Sequence, residues 1–278
     1  MQTCVKTIPQ WGRVLWLNDD NLEIGVALDF GIRVVHLSCI GCENLFYVQP
    51  NDLSDGFVTD SGWKLRGGHR IWMAPESDDT YCPDNAPVSY EIDGNSVLIC
   101  QDVEAFLGIR KSLRITFLED GGVQLEQSIR NDSDDAIDGA SWGVNTLDGG
   151  GTAYINFTNQ DKKGYTPHRV VSLWSDTNLH DPRLTFEKER LVAHHMPMPN
   201  YLKLGLYCIE GKAVLENKGQ RLTITFDSKP LNQYPDNGCN FELYMCSKFM
   251  ELETLGTKAH MLPGESTSHI ENWYLTRV

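Results

Sequence analysis

Hydrophobic residues recur at every second position along most of this chain, which is the pattern of half-buried β-strands. The clearest alternating segments are 22–28, 123–130 and 222–226. Turn-forming residues end these segments, and Asp120-Gly121 between two alternating runs predicts a hairpin. The pattern therefore predicts an all-β protein, a large sandwich or barrel of many antiparallel strands.

Helical periodicity is almost absent, and the best candidate is a short helical turn around Asp181 to Arg190. No internal repeat, low-complexity tract or linker-like stretch divides the chain. A length of 278 residues suits one large domain with a sizeable core, so residues 1–278 are predicted to form a single unit. A broad sheet that curls can present a concave groove, whose sign would be polar and aromatic residues inside strands.

Charge and composition narrow the classes of partner. The formal net charge of -14 repels phosphate backbones and anionic lipid, so no nucleic-acid partner is expected. No segment approaches the roughly 18 apolar residues of a membrane span, and the first 16 residues lack the features of a signal peptide. We therefore expect a cytoplasmic protein that does not engage a membrane.

The eight cysteines invite a disulfide interpretation, but such frameworks belong to short chains with a secretory leader. Cys39 and Cys42 form a lone CxxC pair. A structural zinc site normally needs a second pair, so a plain strand and turn is favoured over metal or redox use. The sequence also has no HExxH, GxSxG, Walker-type or GxGxxG arrangement, and no metal or cofactor is predicted.

The first candidate for chemistry is segment 65–72, in which two glycines lead into His69, Arg70 and Trp72, with Glu76 shortly after. The glycines would let the backbone approach a neighbour closely. The structural interpretation is a tight turn with a surface arginine and a core tryptophan. The functional interpretation is a cluster of hydrogen-bond donors beside an aromatic platform, which suits a hydroxyl-rich ligand.

The second candidate is segment 141–147, where Trp142 and Asn145 would point to opposite faces of one strand. A tryptophan in a sandwich strand is most often part of the core. A buried asparagine, however, must find hydrogen-bond partners. Asn145 is therefore a candidate ligand of a bound molecule.

The third candidate is segment 248–256, which as a strand would place Glu251 and Glu253 on the same face. Two such carboxylates are usually a solvated edge. If the face lines a groove instead, repulsion and partial burial would raise the pKa of one of them and suit it to act as a general base.

Together these segments resemble the galactose mutarotase-like superfamily, and within it a branch related to the aldose 1-epimerases. The resemblance runs over most of the length of the chain and lies in the order of the pieces. They are segments 22–33, 44–46, 67–72, 142–151, 181–183, 249–256, 262–266 and 271–275. The resemblance implies a supersandwich of large antiparallel sheets with a sugar groove on a concave face.

The same resemblance implies roles for particular residues. The family's catalytic glutamate lies on a strand shortly before a Pro-Gly-Glu turn, and Glu253 ahead of segment 263–265 is the best match, with Glu251 second. Arg70 is similar to the family's sugar-binding arginine. Where the family has an acid histidine in a mid-chain strand, this sequence has Trp142, and His69 is the candidate for a substitute proton donor.

We therefore expect a mutarotase-type protein that binds a free sugar and needs no cofactor, with Glu253 and His69 as catalytic residues. The predicted ligand-binding residues are Arg70, Trp72, Glu76, Trp142, Asn145 and Glu251. Two alternatives remain open at this point. One is a non-catalytic sugar-binding module on the same scaffold, and the other is a hexose-phosphate mutarotase in which Arg33, Arg66 and Arg70 would bind the phosphate.

Overall fold

Two large antiparallel β-sheets that share one hydrophobic core make up this structure. The computed structural model describes residues 1–49, 58–157, 165 and 169–278. The alternation seen in the sequence becomes alternation of burial, as in the strand Val123–Asn131, whose every second residue is buried. The prediction of an all-β fold is therefore confirmed. No helix within these residues is long and apolar enough to cross a membrane.

The strands of the described residues are β1 Gln2–Ile8, β2 Gly12–Asn18, β3 Leu22–Ala27, β4 Arg33–Cys39, β5 Gly68–Ala74, β6 Ser89–Asp93, β7 Ser96–Cys100, β8 Ile109–Phe117, β9 Val123–Asn131, β10 Ile137–Asp148, β11 Thr152–Asn156, β12 Val171–Leu173, β13 Leu184–Phe186, β14 Arg190–His194, β15 Leu202–Leu206, β16 Lys212–Asn217, β17 Gln220–Phe226, β18 Phe241–Met245, β19 Phe249–Leu255, β20 Ala259–Met261 and β21 Ser266–Arg277. Within the same described ranges, two short 3-10 helices cover Asp78–Tyr81 and Leu231–Gln233.

The first sheet has the strand order β1-β2-β3-β4-β5-β10-β19-β18-β15-β12, and β20 pairs with β10 beside that path. The second sheet has the order β13-β14-β11-β16-β17-β21-β9-β8-β7-β6. The predicted hairpin at Asp120-Gly121 joins β8 to β9 and is confirmed. Strands from the middle and the end of the chain thus meet at the centre of the first sheet.

The core between the sheets takes its side chains from both. Leu17 and Ile24 come from the first sheet, and Leu125 and Ile224 come from the second. Burying each such side chain stabilises the fold by about 1.5–3 kcal/mol. The central strands β10 and β19 bury residues on both faces, because a separate cluster covers the outer face of the first sheet. The members of that cluster are Trp63, Trp72, Ala74, Ala140, Trp142, Val144 and Leu255.

The paired glycines at the start of β5 have the role that the sequence predicted. Gly67 and Gly68 have φ of 72° and 69°, a region that residues with a Cβ rarely adopt. A Cβ on Gly67 would lie 2.0 Å from the Tyr47 carbonyl oxygen, and one on Gly68 would lie 2.3 Å from that of Val34. The glycines therefore allow the backbone at the start of β5 to pack directly against the backbone at Tyr47 and Val34.

The helical turn expected around Asp181 to Arg190 is corrected by the structure, which has turns there and the strands β13 and β14. Local ion pairing accounts for the difference. Arg183 is fully buried and donates to both carboxylate oxygens of Asp181 at 2.8 Å. This clamp fixes a turn, and the chain then continues into a strand that pairs with β14.

Candidate functional site

A cavity of about 480 Å³ lies over the outer face of the first sheet, where β5, β10, β19, β18 and β15 run side by side. Antiparallel register places Arg70, Val144, Glu253 and Glu242 in one row across these strands. The neighbouring row contains Thr146, Glu251, Tyr244 and Lys203. Residues that are far apart in the sequence therefore form one charged floor.

Glu253 lies at this floor and is almost completely buried. The indole N–H of Trp142 donates to its Oε2 at 3.0 Å, and the ammonium of Lys203 lies 3.8 Å from the same oxygen. Burial raises the pKa of Glu253 to about 7, although the positive charge of Lys203 opposes the effect. A carboxyl group with this pKa exchanges protons readily at neutral pH.

Lys203 on β15 holds the carboxylates of the floor together. Its Nζ lies 3.1 Å from Glu76 and 3.1 Å from Glu242, in addition to its contact with Glu253. Burial alone would lower the pKa of Lys203, but the three carboxylates outweigh it and raise the pKa. The ammonium also lies 4.7 Å from the ring centroid of Trp142. The Lys203 ammonium is thus held beside Glu253 by the carboxylates around it.

Glu242 carries a proton more readily than an ordinary carboxyl group, because its burial raises its pKa well above the usual value. Its Oε2 is paired with Lys203, whereas its Oε1 is buried with no hydrogen-bond partner among the described residues. The floor therefore holds more carboxyl groups than its cations can balance.

Arg70 on β5 is fixed by three contacts. It donates to Thr146 Oγ1 at 2.8 Å and to Glu251 Oε1 at 3.0 Å, and its guanidinium lies 4.0 Å from the ring centroid of Trp72. The Thr146 hydroxyl in turn donates to Glu251 at 2.6 Å. These bonds hold the guanidinium and the carboxylate in a fixed position from which both can bind ligand hydroxyls.

Aromatic rings form one wall of the cavity. Trp72 packs against Trp142, Trp63 and Tyr81 with ring centroids 5.2–5.5 Å apart. The Tyr81 hydroxyl donates to Glu76, so the predicted residue Glu76 does lie at the cavity. Such a wall offers apolar ring faces above charged and hydroxyl groups, which is a surface suited to a sugar.

The structure thus brings together six of the residues singled out in the sequence. All six line the cavity, and they are Arg70, Trp72, Glu76, Trp142, Glu251 and Glu253. Trp72 and Trp142 also belong to the hydrophobic cluster on this face, so the core interpretation and the lining interpretation hold for the same side chains.

His69 and Asn145 are corrected, because they point to the other side of the sheet. Successive side chains of a strand face opposite ways, so His69 cannot share a face with Arg70. His69 Nδ1 lies 3.0 Å from Asn145 Oδ1, and Asn145 donates to Glu271 of the second sheet at 3.2 Å. Both residues are fully buried between the sheets and have no access to the cavity.

The three candidate phosphate-binding arginines, Arg33, Arg66 and Arg70, do not meet at the cavity. Arg33 is buried and pairs with Asp84, and Arg66 donates to Asn85 and lies over the ring of Phe30. Of the three, Arg70 alone is among the described residues that line the cavity.

Sequence reasoning missed Lys203, Glu242, Tyr201 and Tyr244. For Lys203, Glu242 and Tyr244 the signal was present, since polar and aromatic residues inside the strands Leu202–Leu206 and Phe241–Met245 follow the same rule that singled out Glu253. Tyr201 precedes β15 and carries no such signal. What the sequence did not supply was the pairing of β15 and β18 with β19.

The cysteine pair forms the strand end and turn that were favoured in the sequence. β4 ends at Cys39, and the Cys42 N–H donates to the Cys39 carbonyl oxygen at 2.9 Å. All eight cysteines lie in the described ranges and are free. Across residues 1–49, 58–157, 165 and 169–278, no group of three or more His, Cys, Asp or Glu side chains is arranged to hold a metal ion.

Comparison with known proteins gives similarity at the level of structure. No family model matches the chain, and no curated protein matches it significantly. A galactose mutarotase-like protein from Lactobacillus casei is 12% identical with a TM-score of 0.59, and the match covers 95% of this chain and 100% of that one. A putative mutarotase from Salmonella typhimurium is 13% identical with a TM-score of 0.59, over 99% and 94% of the two chains.

A putative aldose 1-epimerase from Escherichia coli is 12% identical with a TM-score of 0.58, and the match covers 95% of this chain and 99% of that one. Identity this low supports common architecture and does not transfer an activity. The resemblance noted in the sequence is confirmed at the level of architecture: this chain has the galactose mutarotase-like fold.

Proposed function

We propose that the cavity binds a free aldose and exchanges its α and β anomers, with Glu253 as the general base. The observation that carries this proposal is a buried carboxyl group with a pKa of about 7 at the floor of an aromatic-walled cavity. A general base works best when its pKa lies near the operating pH. Mutarotation opens and recloses the hemiacetal ring with acid and base assistance and without net oxidation or reduction, so it needs no redox group.

The reaction can be written with the groups present. Glu253 takes the proton of the anomeric hydroxyl, the bond between C1 and the ring oxygen breaks, and its electron pair goes to the ring oxygen as the C1 carbonyl forms. The Lys203 ammonium gives a proton to that oxygen. After rotation about the C1–C2 bond, the hydroxyl attacks the other face of the carbonyl, and both protons return to their donors.

Lys203 is the proposed proton donor because His69 lies on the opposite side of the first sheet from the cavity. The ammonium borders the cavity and lies 3.8 Å from Glu253 Oε2, so the base and the acid can reach neighbouring oxygens of one sugar ring. The released oxygen would be a strongly basic alkoxide, which takes a proton even from an ammonium whose pKa is raised. Such an arrangement contributes typically about 10²–10⁴-fold to a rate.

The sugar would be bound by Arg70, by Glu251 and by the rings of Trp63, Trp72 and Trp142, which we call the tryptophan wall. Arg70 can donate hydrogen bonds to the sugar hydroxyls, and Glu251 can accept hydrogen bonds from them. Trp72 and Trp142 would cover the apolar face of the sugar ring. The carboxylate-rich floor disfavours a sugar phosphate, because Glu76, Glu242 and Glu253 already surround Lys203. We therefore favour an unphosphorylated aldose.

The test is the rate of anomer exchange for a panel of hexoses and pentoses, followed by polarimetry or NMR. We expect acceleration by the wild-type protein and a loss of at least 100-fold in Glu253→Gln, which keeps an acceptor for the Trp142 N–H. Glu126→Gln on the exposed face of β9 is the matched control. If no sugar is interconverted faster than in buffer, the catalytic proposal fails. A saccharide that raises the melting temperature without being interconverted would then indicate a binding module.

A further inference from the structure

A second set of aromatic rings lines the cavity, apart from the tryptophan wall. Tyr201 stacks on Tyr244 with centroids 6.1 Å apart and ring planes at 22°. Tyr244 packs against Phe249 at 6.0 Å, and Phe249 packs against Tyr47 at 5.0 Å. We call Tyr47, Tyr201, Tyr244 and Phe249 the tyrosine row.

The tyrosine row starts at the charged floor and leads to solvent. Tyr244 lies opposite Glu251 on one side and opposite Lys203 on the other in the strand register. Tyr201, just before β15, is 58% exposed although it is a large aromatic residue. The row therefore continues the surface of the site from the reacting groups towards the mouth of the cavity.

An unsatisfied acceptor accompanies the row. Gln49 follows Tyr47 by two residues, lines the cavity and is only 7% exposed. Its Oε1 is buried and has no hydrogen-bond partner among the described groups. Such an atom costs about 1–3 kcal/mol when it stays unpaired. A hydroxyl group of a bound ligand would satisfy it.

The cavity is large enough to hold more than one sugar ring. A volume of about 480 Å³ lies within the range of roughly 300–1,000 Å³ that pockets for drug-sized ligands span, and a hexose is smaller than such ligands. One ring placed over Glu253 and against the tryptophan wall leaves the tyrosine row uncovered. Exposed aromatic faces beside a polar acceptor are the surface that a second sugar ring needs.

We propose that the site takes a reducing disaccharide or a longer reducing oligosaccharide. This inference rests on the proposed function: the reducing ring lies at Glu253, and the next ring stacks on Tyr201 and Tyr244 with a hydroxyl group donating to Gln49 Oε1. The outer ring binds and orients the ligand, and the chemistry stays at the reducing end.

The experiment measures affinities by tryptophan fluorescence, since Trp142 and Trp72 border the cavity, and confirms them by calorimetry. The probes are glucose and galactose, compared with maltose, cellobiose and lactose. We expect at least one disaccharide to bind tenfold or more tightly than its parent hexose. Tyr201→Ala and Gln49→Met should remove most of that advantage and leave the hexose affinity within about twofold. Tyr90→Ala, a comparably exposed tyrosine on β6, is the matched control.

The outcomes separate this inference from the catalytic proposal. If hexose anomers are exchanged in a Glu253-dependent way and no disaccharide binds better than its hexose, the inference falls and the proposed function stands. The inference also falls if Tyr201→Ala weakens hexoses and disaccharides equally. If disaccharides bind better through Tyr201 and no sugar is interconverted, the extended site stands as a binding site and the catalytic proposal falls. If no saccharide binds, both fall.

Discussion

Glu253 illustrates how one side chain obtains its chemistry from its surroundings. An exposed glutamate would be ionised at neutral pH and too weak a base for the task. Here burial raises its pKa to about 7, while the Lys203 ammonium and the Trp142 N–H stabilise the ionised carboxylate. The balance between burial and Lys203 therefore sets the pH range in which the proposed base works.

Replacing Lys203 by methionine should move that range. Without the ammonium, burial is less opposed, so the pKa of Glu253 should rise and the acid limb of the rate profile should shift upward by about one to three pH units. The maximal rate should fall as well, because the proton donor is lost. The measurement is the pH dependence of anomer exchange. Lys229→Met, on an exposed lysine, should leave the midpoint unchanged, and an unshifted midpoint in Lys203→Met would contradict this account.

Glu253→Gln should also change the stability of the fold in a pH-dependent way. The native carboxyl group keeps a proton up to about pH 7, whereas the unfolded one loses it near pH 4.3. Its contribution to stability therefore declines as pH rises through this window. The variant should gain on the wild type as pH rises from 5 to 8, by an amount on the order of 3 kcal/mol. Urea denaturation at several pH values measures this, and a constant difference would show that the pKa of Glu253 is not raised.

At the scale of the element, the period of two within a strand decided which sequence predictions held. Glu251 and Glu253 lie two residues apart, and both face the cavity, as alternation requires. His69 and Arg70 are adjacent, so at most one could belong to the groove. Asn145 was placed with Trp142 in the same groove although alternation separates them. Alternation alone therefore excludes placing both members of either pair in the groove, and the structure shows that Arg70 and Trp142 are the members that line it.

The strand β10 separates the cavity from a group of buried polar side chains between the sheets. We call Gln127, Asn145 and Glu271 the polar cluster. A Cβ on Gly143 would lie 2.4 Å from Gln127 Nε2 and 2.4 Å from Glu271 Oε1. These atoms belong to buried side chains of the second sheet and cannot move into solvent. At Gly143, the backbone of the first sheet therefore lies directly against polar side chains of the second sheet.

Gly143→Ala should lower the free energy of unfolding by about 1–3 kcal/mol, because it overpacks that contact. Gly139→Ala in the same strand is the matched control. Its Cβ would meet the flexible side chain of Met73 at 2.7 Å, which can rotate away. The comparison is made by urea denaturation. If the two variants are equally stable, the polar cluster is less tightly packed than the contacts of Gly143 indicate.

At the scale of the whole molecule, the strands that form the site come from all along the chain. The sequence predicted the all-β architecture, because alternation is local and repeats in nearly every strand. It could not predict that Lys203 and Tyr244 join Glu253, since that depends on the order β19-β18-β15. Pairing order is a property of the sheet and leaves no periodic trace in any one segment.

The two sheets enclose neutral histidines, which makes the stability of the whole molecule depend on pH. Burial lowers the pKa of His269 to about 4, although the nearby carboxylates of Glu271 and Asp227 oppose the effect. His269 Nε2 lies 2.7 Å from Thr254 Oγ1. Burial also lowers the pKa of His69. Protonating either side chain between the sheets is unfavourable, whereas in the unfolded chain a histidine takes up its proton near pH 6.5.

Acidification should therefore weaken the fold through His269 between pH 6.5 and about pH 4, since the unfolded state alone binds the proton in that window. Glu253 acts with the opposite sign over part of this range, so the histidine is isolated by comparing variants. His269→Gln should lose less stability than the wild type on going from pH 7 to pH 4.5, by about 2 kcal/mol. The exposed His180→Gln should follow the wild type. If His269→Gln shows the same pH dependence as the wild type in urea denaturation, the sheets do not enclose a neutral histidine at this position.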